Sequence, residues 1–426
     1  MVISKTAGYQ LAGILLLVSA LASLGCDFAG LPAVITGVLH IIVIVLGWGL
    51  IPVSVRKLSL LLITAGFVML YAAGAVWGDY ISSLSKNRSM ISMLAGVGFL
   101  RLIPLVTAGN ENPVGRKALW QTMLGVSWLG AFINVSSIVM FADRMSGSSY
   151  RLKPAQALVL TRGFIMAALW SPFFVAMAVA VSHAKGADIW KLMLFGLPFS
   201  HLVLFVAGMY TIYTMKEEVN KFEGYPFKPE TLKGPVILAA AVFAAHIIWP
   251  DVSVIAFVTM FAPLYTLFKV RKDGPILKFS GYTLNDLPKM SAEVCLFWAA
   301  GFFGAGISAL ISHGIFPAVT NTGNLVASYG GLAVITAASV FGIHPIVSIS
   351  SVGAMLEHAN VLPDLLAMSF LMGWVMVLIN PISGIHLLVS VRYGFDNKNV
   401  WRWNSGFTAI YFILCCAWLY LCNMFM

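Results

Sequence analysis

The sequence predicts an all-α polytopic membrane protein of 11 transmembrane helices and two re-entrant hairpins, set out as two inverted-topology repeats. Three observations predict it. Of the 426 residues, 60% are hydrophobic and 10% charged, with a mean hydropathy of +0.91, so most of the chain has to lie in lipid. A chain of this length holds about a dozen spans of roughly 20 residues with short loops, and leaves no soluble domain. The basic residues sit singly or in small groups at the ends of apolar runs, where the positive-inside rule wants them, so the net charge of +10 gives no reason to expect a nucleic-acid partner. The third observation is a pair of helix interruptions that occurs twice.

Taken in order, Lys5 precedes an apolar run from Tyr9 to Gly25. Its tail Ser23-Leu24-Gly25-Cys26 hints at a lipoprotein cleavage site but lacks Leu three residues before the Cys, so the run is expected to remain as an extra first helix within residues 1–30. Further apolar spans follow at 31–54, 58–77, 90–109, 155–182, 189–214, 234–249, 252–268, 290–316, 361–391 and 405–425. Residues 118–142 and 328–356 remain, each long enough for two half-helices and each with a polar or Gly/Pro centre. They are expected to enter and leave the membrane on one side. The five cysteines fall in or beside apolar segments with no metal-ligand spacing and are expected to be free thiols.

The interruptions give the repeat. Gly130-Ala131-Phe132-Ile133-Asn134-Val135-Ser136 lies 212 positions before Gly342 to Ser348, and in both a Gly is followed six residues later by a Ser. Leu169-Trp170-Ser171-Pro172 lies 209 positions before Leu378-Ile379-Asn380-Pro381. Proline in a helix removes a donor and clashes with the preceding turn, and in lipid the freed carbonyls have no water to turn to. Such breaks survive where protein or a watery cavity surrounds them, and their recurrence in both halves marks a transporter's binding site.

Charge tests the topology. With the N-terminus cytoplasmic, 20 of the 26 basic residues fall on the inside and Lys86, Arg88, Lys185 and Lys191 on the outside. The C-terminus is then outside, the first hairpin opens to the cytoplasm and the second to the exterior. Residues 31–215 form the first repeat (hairpin 118–142, broken helix 155–182), 216–233 a cytoplasmic linker, and 234–426 the second repeat (hairpin 328–356, broken helix 361–391). The expected location is a bacterial inner (plasma) membrane.

This layout resembles the ion transporter superfamily, most closely the divalent anion/sodium symporters, over almost the whole chain. In that family each hairpin tip carries Ser-Asn-Thr; here the tips read Ile133-Asn134-Val135-Ser136-Ser137 and Ile343-His344-Pro345-Ile346-Val347-Ser348. The one similar triplet, Thr320-Asn321-Thr322, precedes the second hairpin. The resemblance implies a homodimer whose hairpins and broken helices move as a unit past a fixed scaffold. The tip sequences depart from the family where it reads dicarboxylates.

The candidate site follows from the breaks. A half-helix starting in mid-membrane offers unpaired N–H groups to an anion, and one ending there offers carbonyls to a cation. Ser171, Pro172, Asn380, Pro381, Ser383 and Gly384 form the breaks; Asn134, Ser136 and Ser137, with His344, Pro345 and Ser348, form the tips. The plainer reading is a proline kink and a capped turn closed by their own side chains. His344 and His386 can change charge near neutral pH and could carry a coupling proton. Arg101 and Arg162 are the basic residues inside spans and are possible counter-charges to an anion; Arg101 lies near mid-span, whereas Arg162, two turns from its helix end, could snorkel. No acidic residue lies at the centre of a span, Glu293 being close to a helix start, which favours neutral-oxygen Na⁺ sites or histidine-based proton coupling over paired carboxylates.

The sequence thus predicts a secondary active transporter of a small anion, an organic carboxylate, coupled to Na⁺ or H⁺, with no other cofactor and no catalytic residues. Its partners are the bilayer, the substrate and a second copy of the chain. Rival readings are an exporter of an inorganic oxyanion or sulfonate, an ion channel, and, more remotely, a membrane enzyme.

Overall fold

The computed structural model describes residues 2–103, 111–320 and 322–426. The end of the expected span 90–109 and Asn321 of the Thr-Asn-Thr triplet lie outside the described residues. Among the described residues the chain is helical, with one isolated antiparallel bridge, Val114 to Glu223, and no strand.

In chain order the helices are α1 (Val2–Ala29), α2 (Val34–Leu46), α3 (Val53–Ala72), α4 (Trp77–Ser83), α5 (Arg88–Gly98), α6 (Arg116–Ile133), α7 (Ser136–Ser146), α8 (Pro154–Ile165), α9 (Val175–His183) and α10 (Ile189–Thr214). Then come α11 (Lys216–Asn220), α12 (Lys233–Ile248), α13 (Val254–Lys269), α14 (Pro275–Asn285), α15 (Ser291–Ser312), α16 (Asn324–Val340), α17 (Pro345–Met355), α18 (Pro363–Val375), α19 (Gly384–Tyr393) and α20 (Val400–Phe425). Among the described residues, counting helices together with the short turns that join them, seven stretches are long and apolar enough to cross a membrane: Thr6–Ala29, Val53–Ala72, Ile189–Thr214, Pro229–Ile248, Pro275–Ser312, Pro363–Tyr393 and Asn397–Phe425.

Several expected spans differ in detail. The run 31–54 is divided: α2 stops at Gly47, Trp48–Leu50 form a 3-10 turn, and Pro52 stands at the N-cap of α3. The span 58–77 is displaced towards the N-terminus as α3, because Gly74 at φ +69° ends it and Trp77 opens α4. Within 90–109 the α-helix ends at Gly98 and passes into a 3-10 turn, Phe99–Leu102. Helices α4 and α14 were not expected, being short and flanked by polar residues.

The residues divide into two compact units, neither continuous in sequence. One comprises 1–104, 237–321 and 350–359; the other comprises 105–236, 322–349 and 360–426. The first therefore gathers α1 to α5 with α13 to α15, most of α12 and the last six residues of α17. The second gathers α6 to α11 with α16, the first turn of α17, and α18 to α20. Both hairpin turns and both broken helices belong to this second unit.

In the first unit α3 packs along α15, and α13 along α5. Glycines let the first pair approach closely: a Cβ on Gly306 would lie 2.9 Å from the Gly66 carbonyl oxygen. Arg88, at the start of α5, is half-buried, paired with Asp27 at 2.5 Å and bonded to Ser23. Asn87 donates to the Phe297 carbonyl at 2.8 Å.

In the second unit the two halves of the chain supply matching elements. Helices α7 and α17 have 11 residues each, although only the first five residues of α17 belong to this unit, and α10 and α20 have 26 each. Helices α8 and α18 both begin on a proline, Pro154 and Pro363, where a missing N–H costs nothing, and both tighten into four-residue 3-10 turns, Met166–Leu169 and Met376–Ile379. Packing repeats as well. Helix α6 lies on α8 and α16 on α18, while α10 covers the 3-10 turn after α8 and α20 the turn after α18. Glycines sit at both helix contacts: a Cβ on Gly163 would lie 2.9 Å from the Met123 carbonyl oxygen, and one on Gly373 would lie 2.8 Å from the Ile335 side chain.

Candidate functional site

Each broken helix is bonded to the turn that precedes it. After the first 3-10 turn the chain leaves helical geometry at Trp170 and resumes at Val175, with every residue from Trp170 to Phe174 buried. The Ser171 hydroxyl donates to the Ala131 carbonyl at the end of α6 and accepts from the Phe173 N–H at 3.2 Å. In return Asn134 donates from Nδ2 to the Phe173 carbonyl at 3.3 Å. Asn134 itself turns the corner between α6 and α7 at φ +54° and ψ −142°, a positive-φ geometry that favours glycine, and its carbonyl accepts from the Ser137 hydroxyl and N–H. A Cβ at Gly196 would overlap the Leu169 carbonyl, so the absence of a side chain there lets α10 seal the break.

The second break uses the same bond. Asn380, the residue before Pro381 as Ser171 is before Pro172, donates from Nδ2 to the Ile343 carbonyl at 3.4 Å. Ile343 follows Gly342 as Ala131 follows Gly130. Asn380 Oδ1 accepts from the Ile382 N–H at 3.0 Å, so one side chain both closes the break and ties it to the turn between α16 and α17. Gly342 takes φ +85° against the Ile382 side chain. Here the surroundings are open: Ile382 and Gly384 are exposed, Pro381 is half-buried, and nothing lies within 4 Å of where a Gly384 Cβ would stand. One break is sealed and the other is not.

The two histidines have opposite roles. His344 caps α17, its Nδ1 accepting from the Ile346 N–H at 3.2 Å while its ring stands edge-on to Trp374. His386 is wholly buried in the first turn of α19. Its Nδ1 lies 2.9 Å from both the Asn380 carbonyl and the Ser383 hydroxyl, and Ser383 caps the helix by accepting from the His386 N–H. A carbonyl only accepts, so the network assigns the proton to Nδ1 and leaves Nε2 an acceptor; that atom is buried without a hydrogen-bond partner.

Arg162 does not snorkel. Its side chain is fully buried within the second unit, because three bonds hold it there: Nε to Asn404 Oδ1 at 3.0 Å, Nη1 to Thr211 at 2.8 Å, and Nη2 to the Trp403 carbonyl at 2.7 Å. The rings of Tyr210 and Phe407 flank it at 5.4 and 5.0 Å. Among the described residues no carboxylate pairs with it. Arg101, expected near mid-span, instead lies exposed in the 3-10 turn after α5, in the first unit, electrostatically coupled to Tyr282 and to Glu293 in the first turn of α15.

The remaining sequence-selected residues divide by exposure. Ser137, Pro172, Ser348 and Pro345 are buried, and Ser136 is half-buried. Sequence reasoning missed Asn404, Thr211 and Trp403 around Arg162. It also missed the link between α7 and α19, in which Asp143 accepts from Arg392 at 2.8 Å and from the Tyr393 hydroxyl at 2.7 Å. The signal available was that an arginine inside an apolar helix requires partners, but nothing in residue spacing identifies them. Among the described residues no group of three or more His, Cys, Asp or Glu is placed to hold a metal ion.

Comparison of the sequence with protein-family models and with curated proteins gives no match.

Proposed function

We propose that this chain is a secondary active transporter of a small anion, an organic carboxylate, driven by Na⁺ or H⁺. In this reading it has 11 transmembrane helices and two re-entrant hairpins in inverted repeats, with its N-terminus in the cytoplasm. The observation that carries the proposal is the equivalent bond at the two breaks: Ser171 to Ala131 and Asn380 to Ile343 join each broken helix to its own hairpin, within one compact unit. Non-helical backbone at membrane depth is tolerated where protein buries it or where it lines a cavity, and paired breaks in two halves are the usual way to build a transporter's site.

The second unit carries substrate and coupling ion, the first is the scaffold, and two copies of the chain form the dimer. Substrate enters at the open break, at the N-terminal N–H groups of α19. Much of the oxygen set at the breaks is occupied in closing them, so a Na⁺ ion would rely on second lone pairs of Ser171 and Asn380 and on the remaining carbonyls. The test is uptake of radiolabelled carboxylates by reconstituted vesicles. Saturable accumulation above the external concentration, dependent on an imposed Na⁺ or pH gradient, supports the reading. Flux that follows only the substrate's own gradient and does not saturate makes the protein a channel.

A further inference from the structure

From the residues around Arg162 we infer that the second unit contains a buried carboxylate site formed by Arg162, Asn404 and His386, and that a proton joins His386 Nε2 when the anion binds. The inference rests on the carrier reading above and selects H⁺ as its coupling ion.

Three groups point to a ligand. A guanidinium has five N–H donors, and the bonds to Asn404, Thr211 and Trp403 use three, leaving two for a carboxylate. Asn404 Oδ1 holds Arg162, and its Nδ2 is buried with no hydrogen-bond partner. His386 Nε2 is likewise buried and unpartnered. Asn404 is bonded to Arg162, and His386 is linked to them within the second unit through two packed rings. The His386 ring stacks on Phe395, Phe395 packs on Trp403, and Trp403 accepts from Arg162 through its carbonyl, while Arg162 and His386 are near enough to interact by charge.

The chemistry couples the two ligands. Burying a guanidinium without an anion is costly, and a proton on Nε2 adds a second positive charge beside it. A carboxylate between them removes both penalties: it accepts from the guanidinium, from Asn404 Nδ2 and from the new Nε2–H. Each ligand thereby raises affinity for the other, as linkage requires. The remaining charged groups near α19 are already balanced or exposed: Arg392 is paired with Asp143 beside Tyr393, and Asp396 and Lys398 lie exposed in the turn that follows. Because Nδ1 is bonded to the Asn380 carbonyl, a change of charge on His386 acts directly on the second break.

The test is acetate binding to the purified full chain in nanodiscs, by calorimetry at about pH 8 and about pH 5, in buffers of different ionisation heat so that proton uptake is read directly. Affinity is expected to rise roughly tenfold to a hundredfold towards the lower pH. About one proton should be taken up per acetate when His386 binds it. His386→Gln should bind with a flat pH profile and no proton uptake. Arg162→Lys should bind weakly at both pH values; if it does not fold, Asn404→Leu carries the same expectation. Wild-type binding without proton uptake, a His386→Gln variant that keeps the pH profile, Asn404→Leu binding unchanged, or chloride binding that excludes acetate would each overturn the inference. Concentrative vesicle uptake that ignores pH would overturn it and leave the carrier reading standing. Proton-linked acetate binding without any transport would leave the site standing and refute the carrier.

Discussion

Removing the hydroxyl of Ser171 is the sharpest perturbation of the broken-helix architecture. Ser171→Ala deletes a donor to the Ala131 carbonyl and an acceptor for the Phe173 N–H, in a segment buried from Trp170 to Phe174. Water does not reach these groups, so each is left unpaired at about 1–3 kcal/mol, and the substitution should cost about 2–6 kcal/mol. Asn380→Ala removes the equivalent pair at the other break. There the bond to Ile343 is long, 3.4 Å, and Ile382 and Gly384 are exposed, so its cost should be smaller, about 1–2 kcal/mol. The assay is reversible unfolding in mixed detergent micelles, with both variants measured beside the wild type. If both lie within about 0.5 kcal/mol of wild type, or Asn380→Ala is the more damaging, these side chains do not hold the breaks to the hairpins.

Further predictions concern charge and sidedness. Arg162→Lys keeps a buried charge but loses the planar fork that reaches Asn404, Thr211 and Trp403 together, so it should destabilise by about 2–4 kcal/mol, and more than Arg162→Met, which also removes the desolvation penalty. Unfolding of both variants decides it, and a lysine variant as stable as wild type refutes the geometry. Asp143→Asn breaks a partly exposed pair and should cost no more than about 1 kcal/mol, yet hydrogen exchange in α7 should quicken because its link to Arg392 and Tyr393 is lost. Cysteines placed at Lys191 and Lys272 should be labelled from opposite faces of the membrane by an impermeant reagent; labelling from one face would remove the inverted arrangement.

What the sequence made legible was where proline and polar residues coincide. Both breaks fall at Ser171-Pro172 and Asn380-Pro381 and both turns at Asn134 and Ile343–His344, as expected, whereas Pro198 and Pro263, without such neighbours, lie inside the continuous helices α10 and α13. Helices α4 and α14 escaped because short, partly polar helices leave no signature in hydropathy. The division into two units was also hidden, since each collects segments from both halves of the chain and rests on packing between residues far apart in sequence. Arg162 illustrates the limit. Its position in an apolar helix marked it, but whether it snorkels or is held depends on Asn404, 242 positions away, which no local reading can decide.

The central claim, that two hairpin-locked breaks form a site for ion-driven carriage of an anion, is tested most directly by counterflow and gradient-driven uptake in the same vesicle preparation. The account predicts that labelled carboxylate accumulates above its external concentration only while an ion gradient is present. It also predicts exchange against internal unlabelled carboxylate, and that joint replacement of Ser171 and Asn380 by alanine abolishes both. Accumulation that survives in the double variant, or wild-type flux that never exceeds equilibrium and shows no exchange, would contradict it.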